Sequence, residues 1–217
     1  MNKNEKFVIT INRELGSGGR TVGRKLAERL GVEFFDKALI RYLEKKFNLT
    51  TEEIEKLKGK KHSFWTDFKR VARIGEGFVL VSDKLWKTNS GEESMELTTE
   101  EMFRAESELL SSIAEEESCV IAGRSAFFVL RHHPNHLSVL IQASMDHRVA
   151  RVTRKKNITP EKARKIIDQV DSMRENYVSR YTGTSRYDTR NYDVVLRADG
   201  KTEDELVDII MQYIEEK

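Results

Sequence analysis

The fold of this chain can be predicted from one stretch, residues 7–30, FVITINRELGSGGRTVGRKLAERL. Residues 7–11 are mostly apolar and β-prone, which predicts a buried strand of a parallel sheet. Three glycines follow within residues 16–19, and residues 21–30 then place apolar or small side chains three and four positions apart, as on one face of a helix. A strand, a glycine-rich turn and a helix in this order are the local setting of a phosphate-binding loop.

The glycine-rich turn matches the phosphate-loop pattern G-x-x-x-x-G-K-[ST] in part. Gly19 and Thr21 match the second glycine and the hydroxyl, whereas Glu14 and Arg20 stand where a glycine and a lysine are usual. A helix N-terminus offers unpaired N–H groups and partial positive charge to an anion, and an arginine can also bind phosphate oxygens. The turn therefore predicts a phosphate site, and the competing interpretation is a flexible turn without a ligand.

Two acidic residues near this turn have open roles. A carboxylate beside a polyphosphate is repulsive, so we expect Glu14 either to point away or to pair with Arg13 or Arg20. Asp36, at the end of the second predicted strand, could hold Mg²⁺ through water or position an acceptor. Its alternative role is to cap the helix that is predicted to follow.

The bulk composition excludes several classes of protein. The chain has 217 residues, which suits one compact domain, and a formal net charge of +2, which argues against a nucleic-acid surface. No stretch approaches the ~18 apolar residues that span a membrane, and the first residues, MNKNEK, lack an apolar signal core. The single cysteine, Cys119, is expected to be a buried thiol, and His132, His133 and His136 a polar loop rather than a zinc site with it. We therefore expect a cytoplasmic protein that binds small molecules and neither nucleic acid nor membrane.

Five short apolar runs separated by helical segments predict a parallel sheet with helices on both faces, an α/β fold. The predicted strands cover residues 7–11, 32–35, 120–122, 137–141 and 192–196. Ligands of such sheets bind beyond the carboxyl ends of the strands. The glycine-rich turn, Asp36 and Arg124 all follow predicted strands closely, so we expect them to meet in one site.

Basic side chains are frequent between residues 148 and 180, where a helix is predicted to carry Arg148, Arg151 and Arg154 along one side. Phosphoryl transfer needs cations around the transferred group. We interpret the segment as a lid that closes over ATP and excludes water. The alternative is a solvated helix face whose charges are balanced by neighbouring acids.

Three segments resemble the cytidylate kinase-like proteins in order and spacing. They are residues 9–40, ITINRELGSGGRTVGRKLAERLGVEFFDKALI, residues 120–130, VIAGRSAFFVL, and residues 145–199, which begin MDHRVARVTRKK. In the first segment GSGGR replaces the usual lysine loop, and in the second GR follows the third strand. The resemblance covers nearly the whole chain except about residues 59–94.

This resemblance implies a P-loop nucleoside monophosphate kinase fold, a three-layer α/β/α domain around a five-stranded parallel sheet. The core would comprise about residues 1–36, 118–150 and 190–217. A helical acceptor-side insertion would occupy about residues 37–117, and a helical lid about residues 151–189.

The resemblance also implies transfer of the ATP γ-phosphoryl group, with Mg²⁺, to a cytidylate-type nucleoside monophosphate. The residues expected to hold ATP are Gly16, Ser17, Gly18, Gly19, Arg20 and Thr21, with the Thr21 hydroxyl on the Mg²⁺ of ATP. The expected catalytic residues are Arg20, Asp36, Arg151 and Arg174. The expected acceptor-binding residues are Asp36, Arg124, Asp171 and Arg180.

The chain departs from authentic cytidylate kinases at three places. It has Arg20 for the loop lysine, Ser125 for an aspartate after the GR pair, and Asp36-Lys37-Ala38-Leu39-Ile40-Arg41 after the second strand. These departures leave two further readings open, a kinase for another small-molecule acceptor and a nucleotide-binding sensor with little turnover. A homodimer formed through the aromatic residues of segment 59–94 is a further hypothesis.

Overall fold

The computed structural model describes residues 1–36, 100–123 and 125–216. The chain divides into two compact units, one of Met1–Asp36 with Leu110–Lys217 and one of Lys37–Leu109. The elements and contacts below belong to the first unit, except for the start of one helix. Arg124, residues 37–99 of the predicted insertion, and with them the aromatic segment proposed as a dimer contact, lie outside the described residues.

The described elements alternate along the chain as the sequence predicts. The strands are β1 Val8–Arg13, β2 Glu33–Asp36, β3 Cys119–Ala122, β4 His136–Gln142 and β5 Val194–Arg197. The helices are α1 Gly19–Leu30, α2 Glu100–Glu116, α3 Ala126–Val129, α4 Met145–Lys156, α5 Pro160–Thr182 and α6 Glu203–Glu215, with a short 3₁₀ turn at Thr189–Asn191. None of the helices in the described ranges is long and apolar enough to cross a membrane.

The helix ends follow their capping residues. Gly31 ends α1 in the left-handed conformation, with φ of 67°, and its N–H bonds back to the last turn. Thr159 caps α5 by accepting a hydrogen bond from the Lys162 N–H, and Pro160 occupies the first turn. A capping box formed by Thr202 and Glu205 starts α6.

The five strands form one parallel sheet in the order β2-β3-β1-β4-β5. This confirms the predicted five-stranded parallel sheet. The central strand β1 is apolar because both of its faces are covered: Val8, Ile9 and Ile11 are fully buried. One core cluster joins β1 to α1 and α6 through Leu26, Val207 and neighbouring residues.

The strand register brings the carboxyl ends of β1, β2 and β3 together. Asp36 pairs with Ala122, and Ala122 pairs with Ile11 of β1. On the other side of β1, Arg13 pairs with Ile141 of β4. The glycine-rich turn after β1 therefore leaves the sheet between the ends of β3 and β4, where ligands of open parallel sheets bind.

The histidine prediction is wrong at one position. His136 is not in a loop but begins β4, and its Nε2 lies 2.8 Å from Thr10 Oγ1 of β1. His132 and His133 do precede the strand in a turn. Strand β4 begins one residue earlier than its apolar run, because a hydroxyl on β1 provides a polar partner for the partly buried imidazole of His136. Cys119 is buried, as expected.

Candidate active site

The turn between β1 and α1 adopts a conformation that only glycine takes easily. Gly16 and Gly18 have φ of 90° and 86°. Ser17 closes the turn, because both its N–H and its hydroxyl donate to the Glu14 carbonyl. Gly18 caps α1 without any side-chain hydrogen bond, and no acidic residue lies in the first turn.

The amide N–H groups of this turn remain available to a ligand. In the described part of the chain, those of Gly16, Gly18 and Gly19 donate no hydrogen bond. Successive N–H donors at a helix N-terminus form an anion-binding concavity. The geometry therefore suits phosphate better than it suits a ligand-free flexible turn.

Glu14 points away from this concavity. Its Oε2 accepts a hydrogen bond of 2.9 Å from the Ala143 N–H and lies 3.7 Å from Arg148 Nε. Of the two roles that the sequence left open for Glu14, the structure shows the first, because the carboxylate faces away from the glycine turn. The arginine that it approaches is Arg148, not Arg13 or Arg20. Glu14 holds the glycine turn to the start of α4.

The carboxylate of Asp171 links the turn to α4 and α5. Its Oδ1 accepts a hydrogen bond of 3.1 Å from the Leu15 N–H, and its Oδ2 accepts one of 2.6 Å from Arg148 Nη1. The guanidinium groups of Arg174 and Arg186 lie 3.4 Å and 3.5 Å from Oδ1. Asp171, predicted as an acceptor-binding residue, is thus buried and shared among the turn and three arginines.

Arg20 and Asp36, two of the expected catalytic residues, form an ion pair. Arg20 Nε donates to Asp36 Oδ2 at 2.5 Å. The Arg20 side chain is 40% exposed and that of Asp36 only 9%. Thr21 follows in the first turn of α1, where its N–H bonds to the Gly18 carbonyl. These contacts bring the end of β2 to the glycine turn, as the sequence predicted.

The other predicted arginines divide between the turn and the surface. Arg151 pairs with Glu203 at 2.6 Å, and its Cζ lies 3.5 Å from the position that a Cβ on Gly18 would occupy. Arg174 reaches the end of β1, where its Nη1 lies 3.4 Å from the Arg13 carbonyl. Arg180 is exposed, with its guanidinium carbon 5.7 Å from the centre of the Tyr181 ring. Among the described contacts, none joins Arg180 to the glycine turn.

Besides Arg148, which was predicted only as part of the lid segment, two arginines at the turn were not predicted as site residues. Arg13 ends β1, and Arg186, 1% exposed, is the largest fully buried side chain among the described residues. Arg186 donates to the Arg13 carbonyl and, at 3.3 Å, to Asn12 Oδ1. Arg13 could have been predicted from its position between a strand and a glycine turn. Arg186 lies 173 positions further along the chain, and no local sequence pattern identifies it.

The arginines at the turn repel one another. Burial lowers the pKa of the Arg13 guanidinium, and the charges of Arg174, Arg186 and Arg20 lower it further, while Asp36 opposes the change. Burial and Arg186 likewise lower the pKa of Arg174, against the opposing effect of Asp171. A site with this excess of positive charge favours binding of an anion.

The end of β3 also belongs to this region. Gly123 and Ser125 have φ of 86° and 55°, so the backbone turns sharply on either side of Arg124. The Ser125 hydroxyl is buried and has no hydrogen-bond partner within residues 1–36, 100–123 and 125–216. Across the same ranges, no group of three His, Cys, Asp or Glu side chains is arranged to hold a metal ion. The assignment of Thr21 to Mg²⁺ stays a prediction.

A comparison with protein-family models matches residues 8–199 to the cytidylate kinase-like family. The chain belongs to this family. The match spans the glycine turn, the sheet and the arginine-rich helices α4 and α5. A search of curated proteins found no match.

A search of solved structures also found proteins that are similar to this family member. An uncharacterized protein from Eubacterium ventriosum is 23% identical, with a TM-score of 0.64 over 97% of this chain and 99% of that chain. Shikimate kinase from Acinetobacter baumannii is 16% identical, with a TM-score of 0.48 over 96% of this chain and 93% of that one. A gluconokinase from Sinorhizobium meliloti is 14% identical, with a TM-score of 0.46 over 94% and 88%. The likeness to the Eubacterium ventriosum protein shows a shared fold. The family match supports a kinase-like protein.

Proposed function

We propose that this protein transfers the γ-phosphoryl group of ATP, in the presence of Mg²⁺, to a small phosphate-bearing acceptor of the cytidylate type. The observation that carries the proposal is the excess of positive charge around the glycine turn. The arginines are Arg13, Arg20, Arg148, Arg151, Arg174 and Arg186, and the carboxylates that face them are those of Glu14, Asp36, Asp171 and Glu203. Membership of the cytidylate kinase-like family supports the same reading.

The residues at the turn fit a nucleotide polyphosphate. The N–H groups of Gly16, Gly18 and Gly19 would donate to phosphate oxygens, and the first turn of α1 would add its partial positive charge. ATP would supply the phosphoryl group, and Mg²⁺ bound to its phosphates would supply further positive charge. Thr21, in the first turn of α1, keeps its proposed contact with that ion.

The arginines would stabilise the charge that spreads over the transferred group. Arg20, Arg151 and Arg174 are proposed for this catalytic role, since each lies at or beside the turn. Asp171 would position Arg174, and Asp36 would position Arg20. An acceptor phosphate oxygen would bond to the γ-phosphorus as the bond to the bridging oxygen of ADP breaks.

The acceptor is the part of the proposal that rests on family resemblance. Arg124 follows β3 and is proposed to bind the acceptor phosphate, with Arg180 and Asp36 as further acceptor contacts. The departures at Ser125 and at residues 37–41 fall on this side of the site. The acceptor class is therefore the quantity that the experiment must vary.

The test is a coupled assay of ADP formation with MgATP and a panel of acceptors: CMP, dCMP, UMP, AMP, shikimate and gluconate. We expect turnover with CMP or dCMP that is lost in Arg124→Ala and retained in Arg24→Ala, a matched change at an exposed arginine of α1. Turnover with another acceptor alone would replace the cytidylate assignment. ATP binding without turnover on any acceptor would contradict the kinase proposal and favour a nucleotide sensor.

A further inference from the structure

The side chain of Arg13 lies between the glycine turn and the end of β3. A Cβ on Gly19 would come within 2.6 Å of Arg13 Cβ, so the arginine stem packs directly over the start of α1. At the other end, a Cβ on Gly123 would come within 2.0 Å of Arg13 Nη1. Glycines at both positions therefore leave room for this one guanidinium at the carboxyl ends of two neighbouring strands.

The guanidinium of Arg13 has no partner in the described part of the chain. The main chain of Arg13 is engaged: its N–H donates to Asn12 Oδ1, and its carbonyl accepts from Arg174 and Arg186. Across the described ranges, by contrast, none of the side-chain nitrogens of Arg13 makes a hydrogen bond or an ion pair. A half-buried guanidinium with five unused donors is costly unless an anion binds to it.

The neighbours of Arg13 increase this cost. Arg174, Arg186 and Arg20 all repel it, and of the carboxylates in the described part of the chain only that of Asp36 attracts it. Asp36, however, already accepts a hydrogen bond from Arg20 at 2.5 Å. Arg20, at the usual lysine position, thus has a carboxylate partner, whereas Arg13 has none within the described residues.

We infer that Arg13 is a phosphate-binding residue of the glycine turn, and that it supplies the unpaired positive charge that a lysine supplies in the usual phosphate-loop pattern. The inference rests on the proposed function, because it assigns a residue to the same nucleotide site. It goes beyond that function by separating two roles. Arg13 binds a phosphate oxyanion, and Arg20 is a cation positioned by Asp36 at the end of β2.

The test measures binding of inorganic tripolyphosphate by calorimetry, so that it does not depend on turnover or on the acceptor. Arg13→Met keeps the unbranched stem over Gly19 and removes the charge. Because a hydrogen bond to a charged group is lost, we expect affinity to fall about ten- to hundredfold, and Arg24→Met to leave it unchanged. The midpoint of thermal unfolding without ligand should stay the same or rise in Arg13→Met, since a repelled, unpaired cation is removed.

Two outcomes would overturn the inference. One is unchanged affinity in Arg13→Met together with a large loss in Arg20→Met, which would assign the phosphate contact to Arg20. The other is a lower unfolding midpoint with unchanged affinity, which would make Arg13 a structural residue. Tripolyphosphate binding that depends on Arg13, in a protein without kinase turnover, would support the inference and contradict the proposed function.

A second measurement uses the unaltered protein and so does not depend on the folding of a variant. Phenylglyoxal modifies accessible guanidinium groups, and peptide mass spectrometry locates the modified arginines. We expect Arg13 to be modified in the free protein and protected by saturating tripolyphosphate, with exposed Arg190 modified equally in both samples. Equal modification of Arg13 with and without tripolyphosphate would overturn the inference.

Discussion

At the scale of single residues, Asp171 carries the electrostatic balance of the candidate site. Its side chain is 9% exposed, and its carboxylate faces the guanidinium groups of Arg148, Arg174 and Arg186. The same carboxylate fixes the glycine turn through the Leu15 N–H. Loss of its charge would leave buried cations without compensation, which is far more costly than loss of an exposed ion pair.

We therefore expect Asp171→Asn to lower the free energy of unfolding by about 3 kcal/mol. The amide keeps the shape of the side chain and can still accept from Leu15, so the change isolates the charge. Urea denaturation measures the effect. Asp168→Asn, an exposed change one turn earlier on α5, should cause little change and is the control. Equal stability of the two variants would contradict the role given to Asp171.

His136 makes stability depend on pH. Burial lowers the pKa of His136 to about 4, and His133 lowers it further while Asp193 opposes the change. The unfolded chain, with a histidine pKa near ~6.5, thus binds a proton more readily than the folded chain as the pH falls. Stability from this residue is present above about pH 6.5 and is lost as the pH falls toward about 4.

The corresponding prediction concerns the slope of stability against pH. Between about pH 6.5 and pH 4, His136 should contribute a loss of about 3 kcal/mol, at ~1.4 kcal/mol for each pKa unit. His136→Gln should flatten the profile by about this amount, because glutamine can bond to Thr10 without titrating. His132→Gln, at an exposed position, should keep the original slope. The measurement is urea denaturation at several pH values. If the free energy of unfolding of His136→Gln falls with pH in parallel with that of the unaltered protein, the prediction is wrong.

At the scale of elements, the turn after β3 packs against the guanidinium of Arg13. Gly123 has φ of 86°, and its hydrogen atom faces Arg13 Nη1. Gly200 has a similar φ of 71°, but a Cβ there would have nothing within 4 Å. Alanine substitutions at these two glycines therefore separate the free-energy cost of the backbone conformation from the cost of displacing Arg13.

We expect Gly123→Ala and Gly200→Ala to lower the free energy of unfolding by a similar amount, about 1–2 kcal/mol, set by the left-handed backbone. The end of a flexible arginine can move aside, so displacement of Arg13 should cost little stability. Tripolyphosphate affinity should fall in Gly123→Ala only, as measured by calorimetry. Equal affinities in both variants would show that the position of Arg13 does not matter for binding.

The elements themselves were largely predictable. Strand β1, the glycine turn and α1 are local patterns, and the capping residues Thr159 and Gly31 mark helix ends by their own chemistry. The start of strand β5 was predicted at Tyr192, two residues before its observed start at Val194. Tyr192 is β-prone in sequence, but Tyr192 and Asp193 connect the 3₁₀ turn to the sheet. The boundary of this strand depends on a tertiary contact, in which the Asp193 carboxylate accepts hydrogen bonds from the N–H and the hydroxyl of Ser138.

At the scale of the whole molecule, the parallel sheet brings together residues that are distant in sequence. The edge where β1, β2 and β3 end could be predicted, since it follows from strand order and direction, and with it the approach of Asp36 to the glycine turn. The buried position of Arg186 could not be predicted. It depends on the return of the chain after α5 to Asn12 and the carbonyl of Arg13, which no periodicity reveals.

Charge balance is likewise a property of the assembled molecule. The formal net charge of +2 gives no sign of a local arginine excess, because many acids lie on exposed helix faces such as that of α6. Only the folded chain gathers Arg148, Arg174 and Arg186 around the shared carboxylate of Asp171, with Arg13 close enough to be repelled by Arg174 and Arg186. We propose that this gathered charge serves phosphoryl transfer rather than simple anion binding.

The most direct measurement of this claim is a ³¹P NMR time course of the protein with MgATP and CMP. We expect the resonances of ATP and CMP to decline together while those of ADP and CDP appear. Arg174→Met should slow this change, whereas Arg190→Met should not. Unchanged spectra, or the appearance of ADP with inorganic phosphate and intact CMP, would contradict transfer to a cytidylate-type acceptor.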